Sequence, residues 1–236
     1  MRRRALVTLC VAVTYTACGL WLDRGVGQAG QLLLGLLTAG VLTALLMLHS
    51  RATRVQTLAV VGVATLGEVV GSLIWGVYTY RLDNLPSFVP PGHGLVYLSG
   101  LSLATLLAHR QTVLLAAAIT GAVVWGGLGM SALMTTDVSG AIGCAFLVIV
   151  LLRTRRAVYA GVFLVVGALE IYGTAIGTWT WEGVVPGLGI TQGNPPSGAA
   201  SGYVVFDVVA LWLTARLSRS TLHGIRARVQ AFAAGV

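Results

Sequence analysis

Residues 54–94 read RVQTLAVVGVATLGEVVGSLIWGVYTYRLDNLPSFVPPGHG, and the apolar run as far as Tyr80 contains a single carboxylate, Glu68, near its middle. The run is long enough to cross a bilayer as a helix, which takes about 20 residues. An acid inside such a helix is energetically costly, so it usually has a partner or a function. Glu68 is therefore the first candidate functional residue of this chain.

A second stretch, residues 156–198, repeats the pattern and reads RAVYAGVFLVVGALEIYGTAIGTWTWEGVVPGLGITQGNPPSG. Each stretch contains an arginine, an E-x-x-G element, an aromatic-Thr-aromatic exit and a Pro-Pro turn with a glycine within the next two residues. Glu170 corresponds to Glu68, and with one deletion Trp179-Thr180-Trp181 corresponds to Tyr78-Thr79-Tyr80. The ordered set of matches predicts an internal duplication.

The composition is typical of a protein that lies within a bilayer. Of the 236 residues, 56% are hydrophobic and only 9% are charged. A water-exposed surface needs roughly 25–35% charged residues. A soluble globule is therefore excluded, and the lipid bilayer is an expected partner. The apolar run after Arg2-Arg3-Arg4 is interpreted as a first membrane anchor rather than a cleaved signal peptide.

The arginines predict the topology, because cytoplasmic loops carry an excess of positive charge. All fifteen basic residues are arginine, and only Arg24 and Arg81 fall outside one set of alternate loops and the two termini. This bias predicts a multi-pass protein of the cell membrane with both termini in the cytoplasm. Topology and contact with anionic lipids explain the net charge of +8, so no nucleic-acid partner is expected.

The predicted fold is an all-α, polytopic membrane bundle of about eight transmembrane helices in a parallel 4+4 duplication. Four spans per repeat give both halves the same orientation. The first repeat covers residues 1–110, the second covers 111–217, and residues 218–236 form an amphipathic cytoplasmic tail. The predicted spans are Ala5–Leu22, Gln31–His49, Val55–Tyr80, His93–His109, Thr112–Met130, Val138–Leu152, Ala157–Trp181 and Ala199–Leu217.

Three acids fall inside these spans: Glu68, Glu170 and Asp207. The chain has no lysine and no arginine within a span to pair with them. Burial without a cation favours the neutral form of a carboxyl group, and a neutral acid beside an ionised one suits general acid–base catalysis. In an aromatic cavity such an acid could protonate an alkene, and the ring faces would stabilise the cation. The alternative is that the acids only hydrogen-bond neighbouring helices.

Aromatic and polar residues near the same ends of the spans are the candidates for substrate contact. The aromatic pairs are equally typical of an interfacial belt. Glycines at the spacing of Gly67/Gly71 and Gly173/Gly177 favour close helix packing, and they could also leave room for a ligand. The candidate substrate-binding residues are Trp75, Tyr78, Tyr80, His93, Trp179, Trp181, Asn194 and Tyr203.

The E-x-x-G…W-G-x-Y-x-Y stretch at Glu68–Tyr80, its partner at Glu170–Trp181 and the N-P-P-S-G turn at Asn194–Gly198 resemble the carotenoid hydratase family of bisanhydrobacterioruberin hydratases. More loosely, they resemble the small integral-membrane terpene cyclases, which use a membrane Glu and a membrane Asp to protonate an isoprenoid. The resemblance implies Glu68 and Asp207 as the acids and Glu170 as a supporting carboxylate.

We therefore expect an enzyme that cyclises or hydrates a lipophilic isoprenoid without a cofactor. The sequence contains no nucleotide-binding G-x-x-x-x-G-K and no D-x-x-x-D pair for a magnesium-bound diphosphate. His93 has no companion ligands, so no metal is expected. Two other classes fit the same residues: a proton-coupled carrier of a small lipophilic molecule, and a structural subunit whose acids only join helices.

Overall fold

A computed structural model describes residues 1–131 and 136–233, with side chains as far as Leu217. The fold is all-α and 76% helical, which confirms the predicted class. Two three-residue strands pair with each other, and a π-helical segment, Val69–Ile74, extends the third helix. The elements in the described part are α1 (Arg2–Asp23), α2 (Gln28–Met47), α3 (Arg51–Glu68), β1 (Tyr78–Tyr80), α4 (Val89–Leu106), α5 (Gln111–Gly129), α6 (Val138–Thr154), α7 (Ala157–Ala175), β2 (Trp179–Trp181) and α8 (Ala199–Ala233).

Six helices of the described part are long and apolar enough to cross a membrane. They are α1, α2, α3 with its π-helical extension, α5, α7 and α8 as far as Leu217, while α6 is apolar but shorter. The backbone of α8 continues as helix to Ala233. The predicted amphipathic tail, residues 218–236, lies outside the residues whose side chains the structure describes.

The third and seventh helices end earlier than predicted. Their predicted spans ran to Tyr80 and Trp181, but the helical segments end at Ile74 and Ala175. Gly76 and Gly177 follow them with φ of +72° and +76°. This left-handed conformation is accessible to glycine and commonly terminates a helix. The aromatic exits that follow form strands instead of the last helical turn.

The π-helical segment absorbs one extra residue in the first of the two exits. Eight positions separate Glu68 from Gly76, whereas seven separate Glu170 from Gly177. A π-helical turn is wider than an α-helical turn and is often found at functional sites. Both exits therefore reach the strand pair from a helix end that carries a glutamate.

Helices α4 and α7 cross closely near the centre of the bundle. α4 packs against α1, α2, α3 and α7, and α7 also packs against α5 and α8. A Cβ atom on Gly100 would lie 2.6 Å from the backbone nitrogen of Val162, and one on Gly161 would overlap the carbonyl oxygen of Gly100. Such small residues let helix backbones approach in lipid. This crossing fixes the position of α7, which carries Glu170.

Arg81, an exception to the arginine bias, is paired with an acid. Its guanidinium group lies 3.4 Å from the carboxylate of Asp23 and also donates to the carbonyl oxygens of Asp23 and Val26. Asp23 is fully buried and accepts a further hydrogen bond from Gln31 at 2.8 Å. This pair ties the residue after β1 to the end of α1 on the arginine-poor side of the bundle.

Asp137 ties the start of α6 to the long loop before α8. Its Oδ1 accepts hydrogen bonds from the backbone N–H groups of Gly140, at 3.0 Å, and Gly193, at 2.9 Å. Its Oδ2 accepts one from the N–H of Ser197 at 2.6 Å. The first bond caps α6, and the other two hold the loop, so one buried carboxylate joins two segments that are far apart in sequence.

Replacing Asp137 with asparagine is expected to destabilise the fold, because the new amide NH₂ cannot accept both sets of hydrogen bonds. A hydrogen bond to a charged group is worth about 1.5–3 kcal/mol, so we expect a loss of about 2 kcal/mol or more. Thermal unfolding in detergent measures it. Asp83→Asn is the matched control, since Asp83 is exposed. Equal unfolding midpoints for the two variants would contradict this account of Asp137.

Candidate functional site

The strand pair brings the two aromatic exits together. β1 and β2 are antiparallel, with Tyr78 opposite Trp181 and Tyr80 opposite Trp179. Alternate side chains of a strand point to opposite faces, so these four rings share one face while the central threonines are exposed. The shared face points back towards the helix ends, because all four rings hydrogen-bond a glutamate there. The rings thus line a site, which the interpretation as an interfacial belt did not anticipate.

Glu68 is buried and accepts three hydrogen bonds. The hydroxyl groups of Tyr78 and Tyr80 donate to its Oε2 at 2.6 and 2.7 Å. The Nε2 atom of His93 lies 2.9 Å from its Oε1, and both side chains are almost fully buried. This distance fits a hydrogen bond between Oε1 and Nε2, in which the tautomer and charge of His93 set the donor. The sequence offers no arginine or lysine for Glu68, and the structure provides a histidine.

The two tyrosines that contact Glu68 remain hydrogen-bond donors. Burial raises the pKa of the Tyr78 and Tyr80 phenols, and the neighbouring Glu68 carboxylate raises it further. Both phenols therefore keep their protons throughout the physiological pH range. Their donation to one oxygen orients the glutamate and leaves its other oxygen for His93.

Glu170 occupies a similar place but has a different set of partners. The indole N–H groups of Trp179 and Trp181 both donate to its Oε2, at 2.9 and 3.1 Å. Among the residues with described side chains, none donates to Oε1. Two N–H donors on Oε2 fit both forms of the carboxyl group; in the neutral form Oε2 is the carbonyl oxygen and Oε1 is the hydroxyl. Glu170 is 2% exposed, so bulk water does not compete for it.

The E-x-x-G elements have a steric explanation. A Cβ atom on Gly71 would lie 3.2 Å from the ring of Tyr78, and one on Gly173 would overlap the ring of Trp179. Each glycine therefore accommodates the aromatic ring that folds back from the strand to its glutamate. Gly67 packs instead against Phe206 of α8, as expected for a small residue at a helix contact.

Both glutamates line one cleft of about 480 Å³, which we call the two-glutamate cleft. Its volume lies within the range of small-molecule sites, roughly 300–1,000 Å³. On the α3 side its lining includes the exposed side chains of Leu66, Val70 and Trp75. The cleft also contains candidate residues from the strands and α8: Tyr78, Tyr80, Trp179, Trp181 and Tyr203.

Two candidates support the cleft without lining it. His93 lies in the first turns of α4, with its ring centroid 5.0 Å from that of Tyr203. Its Nε2 atom hydrogen-bonds Glu68, but the side chain does not line the cleft. Asn194 accepts a hydrogen bond from the backbone N–H of Trp181 at 3.1 Å and so holds β2. His93 positions Glu68, and Asn194 positions β2. The sequence alone does not distinguish such a supporting residue from one that contacts a substrate.

Asp207 lies apart from the two-glutamate cleft. Its neighbours Tyr203 and Phe206 line the cleft, but Asp207 does not. It is 2% exposed on α8, its Oδ2 atom has no hydrogen-bond partner among the described residues, and it lies near Tyr97 and Tyr159. The three acids predicted within the spans therefore do not converge: two share a chamber and the third is buried elsewhere.

The loop between β2 and α8 is tied to the wall of the cleft. The indole N–H of Trp75 donates to the carbonyl oxygen of Pro186 at 2.8 Å. The side-chain amide of Gln192 donates to the carbonyl oxygen of Val77 at 3.0 Å. Because Trp75 and Val77 both line the cleft, this loop lies over the strand end of it.

A small cavity of about 60 Å³ lies behind the two-glutamate cleft, lined in part by His93. It shares Tyr80 and Tyr203 with that cleft. It shares Thr16 and Leu169 with a further cleft of about 390 Å³ between α1, α4 and α7. Three neighbouring cavities with shared walls thus lie between the glutamates and α1.

Comparisons of the chain with protein-family models, curated protein sequences and solved structures return no match. Among the side chains of residues 1–131 and 136–217, no group of three or more His, Cys, Asp or Glu is placed to hold a metal ion. The geometry of the two-glutamate cleft and the short motifs described above are therefore the basis for a proposed function.

Proposed function

We propose that the protein is a membrane enzyme that protonates a carbon–carbon double bond of a lipophilic isoprenoid and so initiates its cyclisation or hydration. The observation that carries the proposal is the hydrogen bonding of Glu170, whose two indole donors meet on one oxygen and leave the other undonated within an aromatic, apolar cleft. Such a carboxyl group is arranged to deliver a proton to a substrate that has no polar group of its own.

In this mechanism Glu170 is the general acid. The π electrons of the substrate take the proton of Oε1, which forms a C–H bond, a carbocation and the Glu170 carboxylate. The indole N–H groups of Trp179 and Trp181 stabilise the new carboxylate, and the ring faces of the cleft stabilise the cation. The cation is then attacked by a second double bond or by water, and the proton released in the last step returns to Glu170.

Glu68 and His93 have a supporting role in this mechanism. Both oxygens of Glu68 are already engaged, so it is less suited than Glu170 to donate a proton. It places a carboxylate beside the forming cation, and attraction between opposite charges is strong in a site of low dielectric constant. The proposal thus gives the donor role to Glu170, where the family resemblance implied Glu68 and Asp207.

Deuterium oxide provides the test. The purified chain is reconstituted into phosphatidylcholine liposomes with geranylgeraniol, squalene or lycopene, and the lipids are extracted and analysed by mass spectrometry. We expect at least one of them to give a product with deuterium bound to carbon, and Glu182→Gln to give the same product, because Glu182 is exposed in the outer loop. Products without carbon-bound deuterium, or no product from the whole series, would contradict the proposal.

A proton-coupled carrier for a small lipophilic molecule is the second candidate. It is favoured by three neighbouring cavities that share wall residues, from the two-glutamate cleft past the small cavity beside His93 to the cleft beside α1. The same liposomes separate the two functions, since a carrier moves a fluorescent lipophilic probe in response to a pH gradient and leaves its structure unchanged. Transport without chemical conversion would favour the carrier.

We also propose that the chain spans the cell membrane eight times, as two parallel repeats with both termini in the cytoplasm. α4 and α6 join the six long apolar helices in this arrangement. The matching glutamates, the positive-φ glycines after both helices and the antiparallel pairing of the two exits support a duplication. Cysteine labelling from either side of the membrane at each loop tests the topology.

A further inference from the structure

A second apolar groove lies between α6 and α8, and its α8 residues differ from those that line the two-glutamate cleft. Its volume is about 490 Å³, and its walls include Phe146 and Ile149 of α6 and Val205 and Trp212 of α8. Helix α6 ends at Thr154 and the loop residue Arg156 follows, so Arg153 and Arg156 stand at one end of the groove. An apolar floor with a cationic end matches an amphipathic anion.

The length of the groove matches one leaflet of a bilayer. Along α8 it extends from Val205 to Ala215. At a rise of about 1.5 Å per residue this is about 15 Å, which is half of the hydrocarbon thickness of about 30 Å. A single acyl chain that starts at the arginines would thus reach the middle of the bilayer along the groove.

The positive charge at the end of the groove is not neutralised. Arg153 and Arg156 are exposed, and the ion pairs of the described side chains include neither. The guanidinium group of Arg156 lies 5.8 Å above the ring of Tyr159, which also lines the groove. Arg216 stacks on the groove residue Trp212 at 4.5 Å and adds a further cation nearby. Among the described residues that line this end, an anion would meet arginines and no carboxylate.

We propose that this groove binds an anionic phospholipid from the leaflet on the arginine-rich side. The phosphate group contacts Arg153 and Arg156, whose guanidinium groups match phosphate oxygens in pairs. One acyl chain lies on the apolar floor and ends near Phe146 and Val205. The assignment is independent of the chemistry at Glu68 and Glu170.

Fluorescence quenching by brominated lipids tests the proposal, because Trp212 is 52% exposed at the wall of the groove. The full chain is reconstituted into phosphatidylcholine with the same mole fraction of acyl-brominated phosphatidylglycerol or acyl-brominated phosphatidylcholine. The Trp212 signal is obtained by subtracting the spectrum of Trp212→Phe. We expect the anionic lipid to quench this signal with roughly fivefold higher relative affinity, in line with the attraction of one arginine to an anionic surface.

The double variant Arg153→Gln/Arg156→Gln is expected to lose that preference. Arg2→Gln/Arg51→Gln is the matched control: it removes the same charge from exposed positions on α1 and α3, and should keep the preference. Equal quenching by both lipids, or an equal loss in both double variants, would overturn the assignment. Loss of the preference for the anionic lipid in millimolar inorganic phosphate would also overturn the assignment, because it would indicate a site for free phosphate. Quenching by neither lipid together with a cross-linked dimer would instead assign the groove to a second copy of the chain.

Discussion

Glu170→Gln is expected to abolish the incorporation of deuterium into an isoprenoid substrate. General acid catalysis contributes about 10²–10⁴-fold to a rate, and an amide cannot replace a carboxylic acid as the donor of a proton to carbon. We therefore expect a fall of at least about 100-fold in turnover. Mass spectrometry of the liposome extracts measures the remaining product.

The glutamine variant should still fold, which makes the result interpretable. Its side-chain oxygen can accept both indole hydrogen bonds that Glu170 receives from Trp179 and Trp181. The unfolding midpoint should therefore stay close to that of the parent chain. Glu182→Gln is the matched control, since it makes the same change at an exposed site.

Glu68→Gln distinguishes between the two glutamates. The proposal expects it to be less impaired than Glu170→Gln, because Glu68 assists the cation and does not donate the proton. Full activity in Glu170→Gln with complete loss in Glu68→Gln would reverse the two roles. If both variants keep full activity, the proposed mechanism of acid catalysis in this cleft is wrong.

Gly161→Val is expected to have the largest effect on stability. A Cβ atom on Gly161 would overlap the carbonyl oxygen of Gly100 on α4, and a backbone atom cannot turn aside as a side chain can. The helices would have to separate along a contact that continues to Val162, which itself packs against Gly100. Overpacking typically lowers the free energy of unfolding by about 1–3 kcal/mol, and a clash with a backbone atom places this variant at the upper end of that range.

Heat denaturation in detergent compares this variant with Gly62→Val. Gly62 is exposed on α3, and a Cβ atom there would meet nothing within 4 Å. Valine and glycine have similar low helix propensities, so the control should stay within about 1 kcal/mol of the parent. A similar loss in both variants would mean that helix propensity, rather than the contact between α4 and α7, determines the result.

The helices could be predicted from the sequence, because long apolar runs leave the backbone little alternative in lipid. The ends of α3 and α7 could not. Y-T-Y and W-T-W alternate with the period of a strand, but hydropathy counts their rings as part of the span. Strand pairing joins residues about a hundred positions apart, and local composition carries no information about such a partner.

The sequence predicts buried acids and an aromatic cavity, but it does not predict which of Glu68, Glu170 and Asp207 line the same cleft. Successive residues of an α-helix point about 100° apart, since a turn contains 3.6 residues. Phe206 lines the two-glutamate cleft, and the next residue, Asp207, therefore points elsewhere. The depth of a residue in a membrane follows from its position in the run, but its direction depends on how the whole helix is rotated against its neighbours.

His93 shows a similar limit of sequence reasoning. The sequence makes His93 a candidate for substrate contact, but the structure places it against Glu68, 25 residues earlier in the chain. The contact between His93 and Glu68 could have been predicted from the sequence, because no other basic side chain is expected at that depth. A buried carboxylate needs donors, and the histidine at the start of α4 was the remaining candidate.

Exposed aliphatic side chains form the α3 margin of the two-glutamate cleft. Leu66 and Val70 are 68% and 50% exposed, on a helix surface that faces acyl chains, while the loop tied to Trp75 and Val77 screens the other approach. A ligand would thus arrive by lateral diffusion within the bilayer plane. Its occupancy would follow its mole fraction among the lipids, so diluting the vesicles in buffer should leave binding unchanged.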